Sequence, residues 1–567
     1  MPRKSVNQPE ESLILNYDLA SLPSAQHKAG LAGLLLMIET LKNRRLSPLP
    51  DILELSEYNV DIQLTLESLQ VLFDDLYDAE WVETASKTKW KNKQPLRVDE
   101  KEKRFIYKTY QPKGMFLDSL YRSTQNDLWI KLWRDMLWNT LRGQPLTRNV
   151  YEERAEGRPS SVALKVWQNI HKSIQSKKKN KIFTDSIAGS LFVGAQDSNA
   201  EQVPFQGLPE HNFLLHFWIL PTLLFAPRQM NIEGRLNDIG YVLAIPEPLN
   251  LVEFLEDIKD TLCQLDSETD GYNPGIMRYV IRRPKAAVID IPEEGGLEFL
   301  YYLTKNRIEQ ENIIFSIASI EIYHLEKQGN NIRTHASAKI KPSSSLLKEY
   351  NHFREQYLNP LYKAQRLRNM LNQYPWFWGM SKHLREYPRK FFILSDSTPY
   401  HIPFFGWDVF RKFKSVQKKL EQKNGGRTMD ATHQDDALAL KVRRLIQSYV
   451  RQRAEEKSGR KYKDFEKEKD TDRTIYPREY KDALGKVCMD AFLAMRSRRD
   501  KDFVEYFTGT ICSVPQYLSE NDYLDISLAL LNETEWEKVK TFSMLALSAE
   551  SSFARVQDQI DNESKGE

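Results

Sequence analysis

Four lysines at alternate positions are the residues of this sequence whose spacing most directly indicates a chemistry. They are Lys87, Lys89, Lys91 and Lys93, with Trp90 among them. Ammonium groups spaced along an extended segment can follow the phosphates of a nucleic acid, and an indole ring can stack on a base. The same alternation also protects the edge strands of sheets from association. The pattern leaves both interpretations open.

Two other groups of residues could bind an anion. Lys177, Lys178 and Lys179 form a compact positive cluster at the end of a predicted helix. Gln26, His27 and Lys28 lie in the first turn of another predicted helix, where free backbone N–H groups favour a phosphate. A histidine in that position is more often structural. Because 81 Lys and Arg nearly balance 78 Asp and Glu, only such local clusters can indicate a nucleic-acid partner.

A polar loop precedes the most apolar part of the chain. Residues 194–207 (GAQDSNAEQVPFQG) are rich in amides and small side chains, and residues 213–225 are almost entirely apolar. A loop anchored by a buried element can present side chains to a ligand, although an ordinary connector between core elements has the same pattern. Gly30 and Gly33 within the first predicted helix indicate close packing against another element.

Signatures of catalysis are missing from the sequence. It has no phosphate-binding GxxxxGK[ST] loop, no HExxH and no GxSxG, and its 10 histidines are scattered. We therefore predict no catalytic residue, no metal site and no cofactor. The 3 cysteines are far apart, which is typical of a reducing compartment. No segment resembles a signal peptide or is long enough to span a membrane, and we expect a cytoplasmic protein without membrane contact.

The chain of 567 residues is long enough for several domains. We predict an α+β fold: a mixed body with β-hairpins and helices over residues 1–424, a linker at 425–428, and an all-α bundle over 429–567. The body could divide into two subdomains near 182–250. Residues 312–341 are predicted to form a hairpin. Residues 142–158 are predicted to be a basic loop rich in turns.

Several segments resemble one known family in consistent order. Residues 22–35 (LPSAQHKAGLAGLL), 192–196 (FVGAQ), 214–218 (LLHFW), 240–246 (GYVLAIP) and 367–371 (LRNML) are similar to the MYXAN-type, I-B-like Cas-eight large subunit of CRISPR Cascade complexes. The resemblance covers about residues 13–380. It implies a non-catalytic subunit that contacts the 5′ handle of the guide RNA, reads the protospacer-adjacent motif (PAM) in duplex DNA and helps to open that duplex.

The resemblance also implies partners. These are the guide CRISPR RNA, double-stranded target DNA, and the Cas-five, Cas-six, Cas-seven and Cas-eleven types of subunit. A downstream effector would be recruited, either a helicase–nuclease or transposition proteins. The sequence does not decide between these two effectors.

With this role, the candidate residues receive specific tasks. Gln196 and Asn199 are expected to contact PAM bases, because amides can both donate and accept hydrogen bonds. The DNA backbone is assigned to Lys87, Lys89, Lys91, Lys93, Lys177, Lys178 and Lys179. The guide RNA is assigned to Gln26, His27, Lys28, Arg282 and Arg283.

The C-terminal bundle resembles the small Cascade subunit in size and helical character. In several type I systems that subunit is produced from inside the large-subunit gene, and Gly425-Gly426 shortly before Met429 could be encoded by a ribosome-binding sequence. We predict a second product that starts at Met429. Its arginines would bind the displaced DNA strand: Arg443, Arg444, Arg451, Arg453, Arg496, Arg498 and Arg499.

Two alternatives belong to other classes of protein. A metal-dependent nuclease would show turnover by the isolated chain, against which the scattered histidines argue. A sequence-independent RNA- or DNA-binding scaffold would bind duplexes equally well with and without the correct PAM.

Overall fold

The fold was followed in a computed structural model. It describes residues 12–91, 93–113, 128–142, 145–194, 204–267, 287–308, 313–328, 331–354, 356, 358–394, 402–423, 431–465, 475–513 and 519–553. Strands occur only before residue 341 in this part of the chain, and helices dominate after it. The α+β class predicted from the sequence is confirmed.

The strands are β1 Leu13–Asp18, β2 Asp51–Leu55, β3 Asn59–Leu64, β4 Ala79–Ser86, β5 Arg97–Asp99, β6 Arg104–Pro112, β7 Asp185–Ser186, β8 Gln206–Gly207, β9 Leu223–Met230, β10 Leu236–Asp238, β11 Tyr241–Pro248, β12 Val288–Ile289, β13 Ile317–Gln328 and β14 Asn331–Ile340. They form sheets in the orders β1-β3-β2, β4-β6-β5, β7-β8 and β10-β9-β11-β13-β14, with β12 parallel to β9. The antiparallel β13–β14 pair confirms the hairpin predicted over residues 312–341.

The helices are α1 Ala25–Asn43, α2 Leu66–Leu76, α3 Leu128–Met136, α4 Pro145–Ala155, α5 Ser161–Lys178, α6 Pro209–Leu214, α7 Leu251–Ser267, α8 Glu294–Thr304, α9 Ser344–Arg354, α10 Pro360–Leu371, α11 Met380–Glu386, α12 Phe405–Lys423, α13 Ala431–Ser458, α14 Arg478–Ser497, α15 Asp500–Tyr506, α16 Glu520–Leu531 and α17 Trp536–Ser551. Residues 142–158, predicted to be a loop, contain α4. Pro145 at the first position of a helix is compatible with helical geometry, and the prediction of a turn gave that proline too much weight.

Helix α1 and the apolar segment after α6 form the centre of the N-terminal core. A Cβ atom at Gly30 would overlap the carbonyl oxygen of Leu214, and one at Gly33 would overlap that of Phe217. The close packing predicted from these two glycines is confirmed. Phe217 and Trp218 have no exposed surface, as expected for the most apolar part of the chain.

The described residues belong to two compact units. The first contains residues up to Arg228 and most residues from Asp238 to Arg354; the second contains residues 229–237 and those after Arg354. The domain boundary predicted at 424 stays a prediction. Within the second unit, α12 lies before that boundary and packs closely on α17. The approach is so close that a Cβ atom at Gly406 would overlap the carbonyl oxygen of Ser548.

Candidate nucleic-acid interface

The lysines that alternate in the sequence lie in the connection between β4 and β5. Lys87, Lys89, Lys91 and Lys93 are all exposed, and none forms an ion pair with a carboxylate in the described part of the chain. The connection begins with a fixed turn, because Ser86 Oγ donates to the carbonyl of Thr88 at 2.7 Å. These lysines lie outside strands, and their charges are available to a polyanion. We refer to them as the lysine strip.

The sheet beside the lysine strip carries aromatic rings. Trp81 lies opposite Tyr110 in the β4–β6 register, and their ring centroids are 4.0 Å apart. Lys108 Nζ lies 3.8 Å from the centroid of Trp81. Trp90 is stacked on Tyr107, with centroids 4.1 Å apart and planes at 7°. One face of the Trp90 indole is therefore covered by the protein, which fixes the orientation of the ring.

The three lysines of the positive cluster at the end of α5 differ in their interactions. Lys177 pairs with the carboxylate of Glu210, which also accepts a hydrogen bond from Ser173 at 2.8 Å. Burial alone would raise the pKa of Glu210, but the hydrogen bonds from Lys177 and Ser173 hold it below its usual value. Lys178 and Lys179 are exposed. Only these two present their full charge to the surface.

The loop that carries the predicted PAM residues has a firmly held base. Strands β7 and β8 pair Ser186 with Gln206 and so bring its two ends together. Trp218 Nε1 donates to the carbonyl of Leu191 at 2.7 Å. Gln196 and Asn199 themselves lie outside the described residues. The described residues on both sides of this segment, Val193 and Gln206, are nevertheless fixed by these contacts.

The amide of Gln26 takes part in holding this base. Its Nε2 donates to the carbonyl of Val193 at 3.0 Å, and its Oε1 accepts from the Val193 N–H at 2.9 Å. Gln26 is only 1% exposed. Its side-chain amide therefore pairs with the Val193 backbone in the way that a neighbouring peptide group would, and it fixes Val193 in position. The contact of Gln26 with guide RNA stays a prediction, and it would require these two hydrogen bonds to be replaced by bonds to the RNA.

The other residues assigned to guide RNA also have internal partners where they are described. His27 is buried, and burial, helped by nearby His211, lowers its pKa to about 4, so the imidazole is neutral at pH 7. Lys28 Nζ is 2.9 Å from a carboxylate oxygen of Glu247. Burial opposes ionisation of Glu247, yet bonds from Lys339, Ser319 and Lys28 lower its pKa to about 2. Arg282 and Arg283 lie outside the described residues.

Four of the seven arginines assigned to the displaced strand are engaged by the second unit. Arg443 is 9% exposed, and its guanidinium carbon lies 5.1 Å from the ring centroid of Phe410. Arg451 and Arg498 each lie 4.6 Å from a tyrosine ring. Arg496 donates to the carbonyl of Tyr387 at 2.8 Å. Their cations contribute to packing.

The remaining three arginines are more accessible. Arg444 has an exposed side chain and only a long contact, 3.9 Å, with Asp522. Arg453 is partly exposed and pairs with Glu456 at 2.7 Å, and Arg499 is exposed at the start of α15. Near Arg499, burial is the main cause that lowers the pKa of Lys540 to about 8, and the charges of Arg385 and Arg499 add to this effect.

Two family models match most of this chain. The model of the type I-B CRISPR Cas8b N-terminal domain matches residues 49–312, and the model of the Cas8b C-terminal domain matches residues 317–550. The chain belongs to the Cas8b family. A Cas8b chain is the large subunit of a type I-B Cascade complex and works with CRISPR RNA and other Cas subunits. No curated protein matches the chain.

The described residues of this Cas8b chain contain no group of three or more His, Cys, Asp or Glu side chains that could hold a metal ion. In the same residues, no helix is long and apolar enough to cross a membrane. The prediction that the chain has no catalytic activity stays a prediction.

Sequence reasoning missed four residues beside the lysine strip. Tyr110 lies on β6, Trp138 follows α3, and Arg148 and Glu152 lie on α4. The spacing of Arg148 and Glu152 by four residues is that of neighbours on one helical face. This signal was present, but the prediction of a loop over 142–158 concealed it.

Proposed function

We propose that this Cas8b chain reads the PAM in target DNA, contacts the 5′ handle of the guide RNA, helps to open the duplex and recruits a downstream effector. The effector would be a helicase–nuclease or a set of transposition proteins. The chain would bind next to a Cas-five type subunit within a complex that also contains Cas-six, Cas-seven and Cas-eleven types. It would have no catalytic activity of its own.

One observation supports this role above the others: the first unit combines exposed lysines that have no carboxylate partner among the described residues with a loop whose base is fixed. Phosphate contacts position a protein on a duplex, and contacts to base edges specify the sequence. The lysine strip, Lys178 and Lys179 would supply the phosphate contacts. Gln196 and Asn199, on the loop between β7 and β8, would supply the base contacts.

The proposal for the displaced strand now depends on fewer residues. Arg444 and Arg499 have exposed side chains, and Arg453 is partly exposed and pairs with the carboxylate of Glu456. We propose that these three contact the strand and that Arg443, Arg451, Arg496 and Arg498 hold the helices that carry them. The second product starting at Met429, which lies outside the described residues, also stays a proposal.

The deciding experiment is purification of the tagged chain expressed with its neighbouring genes, followed by sequencing of the bound RNA. We expect a complex of several subunits that carries uniform repeat–spacer RNA and binds target duplex only with the correct PAM. A lone chain without RNA, or equal binding to duplexes with and without the PAM, would contradict the proposal. Cleavage of DNA by the isolated chain with Mg²⁺ or Mn²⁺ would contradict the absence of catalysis.

The same preparation tests the internal start. A short band with Met429 as its first residue is expected for the wild-type gene, and it should disappear in the Met429→Ala variant. A short band unchanged in this variant would show that the product arises in another way.

A further inference from the structure

We propose that a cavity next to the lysine strip binds one unstacked nucleobase of a single-stranded nucleic acid. The cavity has a volume of about 390 Å³, and its walls include Trp90, Lys93, Tyr110, Trp138, Arg148 and Glu152. This volume is within the range of sites for small organic ligands. All of these residues belong to the first unit. The inference depends on the nucleic-acid binding proposed above and adds a specific contact to it.

The aromatic walls are held in place before any ligand binds. Trp90 is fixed on one face by Tyr107, whose hydroxyl accepts a hydrogen bond from the Trp90 backbone N–H at 2.7 Å. Tyr110 is held by Trp81, and Trp138 lies edge-on to Tyr151 at 6.4 Å. Rings that are already ordered lose little conformational freedom when a base stacks on them. Stacking accepts every base, because each has a π face.

The charged walls match the rest of a nucleotide. Lys93 Nζ lies 5.6 Å from the centroid of Tyr110, and the guanidinium carbon of Arg148 lies 5.4 Å from that of Trp138. Cations at these two rings can meet the phosphates on either side of an inserted base. Glu152 adds a carboxylate, which can accept a hydrogen bond from the exocyclic amine of a base.

This combination distinguishes a nucleotide from simpler ligands. A purely apolar ligand would make no use of the ammonium group of Lys93 at the wall, and a bare anion would not use the rings. Trp90 and Lys93 belong both to the wall of the cavity and to the connection that carries Lys89 and Lys91, so a strand that follows the lysine strip would reach the cavity. The geometry therefore favours a base that belongs to a strand over a free aromatic molecule.

An abasic scan can test this proposal on the full chain. Single-stranded DNA and RNA oligonucleotides with one abasic position each would be bound to the free chain, and guide RNAs with the same lesions would be bound within the complex. At one position in the strand, loss of the base should weaken binding about 5- to 150-fold, the range for one base stacked on an aromatic side chain. An effect confined to guide RNA would identify the RNA as the source, and one confined to DNA would identify the DNA.

The variant Trp90→Ala should remove the positional effect, since the lesion and the substitution delete the same contact. Trp536→Ala is a matched control, because Trp536 is also half-buried beside one ring, Phe503 at 6.0 Å, but lies between Glu535 and Glu537. It should leave the effect unchanged. Glu152→Gln keeps the shape of the wall and should alter the preference among bases at that position.

Equal affinity for all abasic strands, or a positional effect that persists in Trp90→Ala, would overturn the proposal. If the complex assembles with guide RNA and no position is special, the Cascade role stands and the base site is wrong. If no guide RNA is recovered, the oligonucleotide binding to the free chain still decides whether the cavity holds a base.

Discussion

The cations that the sequence assigned to DNA have different surroundings in the two units of this chain. In the first, the lysine strip is exposed and lacks carboxylate partners among the described residues. In the second, Arg443 and Arg451 lie over aromatic rings, and Arg496 is bonded to backbone carbonyls. A guanidinium group is planar and weakly hydrated, so it packs readily, whereas an ammonium group keeps its water. Clusters of cations that look alike in the sequence thus differ in function.

The largest expected difference between the units is their response to acid. Burial lowers the pKa of His27 to about 4 and that of His216 to about 3. Each is protonated more readily when unfolded, so its contribution to stability is complete above pH 6.5 and is lost as the pH falls toward the folded value. Between pH 7 and 5 this costs the first unit about 2 kcal/mol for each histidine.

The second unit contains a group whose contribution to stability increases as the pH falls. Burial of Asp408 raises its pKa to about 7, so the folded state binds more protons between pH 7 and 3.8 and gains stability as the pH falls. His383, whose pKa burial lowers to about 4, offsets part of this gain. Hydrogen exchange measured for each unit at pH 7 and 5 should show greater loss of protection in the first. His216→Gln should reduce that loss by about half; equal losses in both units would contradict the comparison.

The next largest effect is a difference in the free energy of unfolding between substitutions at two neighbouring arginines. Arg443→Ala removes a buried cation from between Phe410 and Phe413 and from the vicinity of Glu550, and we expect it to lower the free energy of unfolding by about 2–4 kcal/mol. Arg444→Ala is the matched control and should change it by less than about 0.5 kcal/mol. Thermal unfolding followed by circular dichroism measures both. Similar shifts for the two variants would show that Arg443 is not a packing residue.

Substitutions in the lysine strip should affect DNA binding and leave stability unchanged. Replacing Lys87, Lys89, Lys91 and Lys93 by Ala should leave thermal unfolding unchanged but weaken DNA binding by the complex. The slope of log affinity against log salt should fall by about 3 to 4, since each phosphate contact contributes roughly 0.9. The combined variant Lys418→Ala, Lys419→Ala, which alters exposed lysines of α12 in the second unit, serves as control. An unchanged slope in the strip variant would remove these lysines from the interface.

The effect with the narrowest scope is expected at the loop, because it should change only the choice between duplexes. Gln196→Ala with Asn199→Ala should cost about 1–3 kcal/mol of discrimination between correct and incorrect PAM per lost base contact, with little change in the salt slope. Binding to the two duplexes at one salt concentration measures this. PAM discrimination equal to that of the wild type would show that other residues read the motif.

Local patterns predicted the fold well where one interaction dominates. Gly30 and Gly33 indicated close packing, and residues 312–341 indicated a hairpin; both were confirmed. The lysine strip was expected to be accessible, and it is. These features depend on residues near each other in sequence, or on one requirement such as the absence of a Cβ.

Features that depend on long-range contacts could not be predicted in this way. The amide of Gln26 looked suited to an anion, but it pairs with Val193, 167 residues away. The contacts of Arg443 include Phe413 on α12, a different helix from its own. The cavity combines residues of the β4–β5 connection, β6 and α4, and neither its volume nor its chemistry is visible in any one segment.

The fixed base of the loop between β7 and β8 has an evolutionary consequence. The described hydrogen bonds that fix it involve Leu191 and Val193 on one side and the β7–β8 pair on the other. None of these bonds uses residues 195–203, so the bonds place no requirement on the identity or number of those residues. If the loop reads the PAM as proposed, target choice can diverge between relatives while the scaffold stays the same.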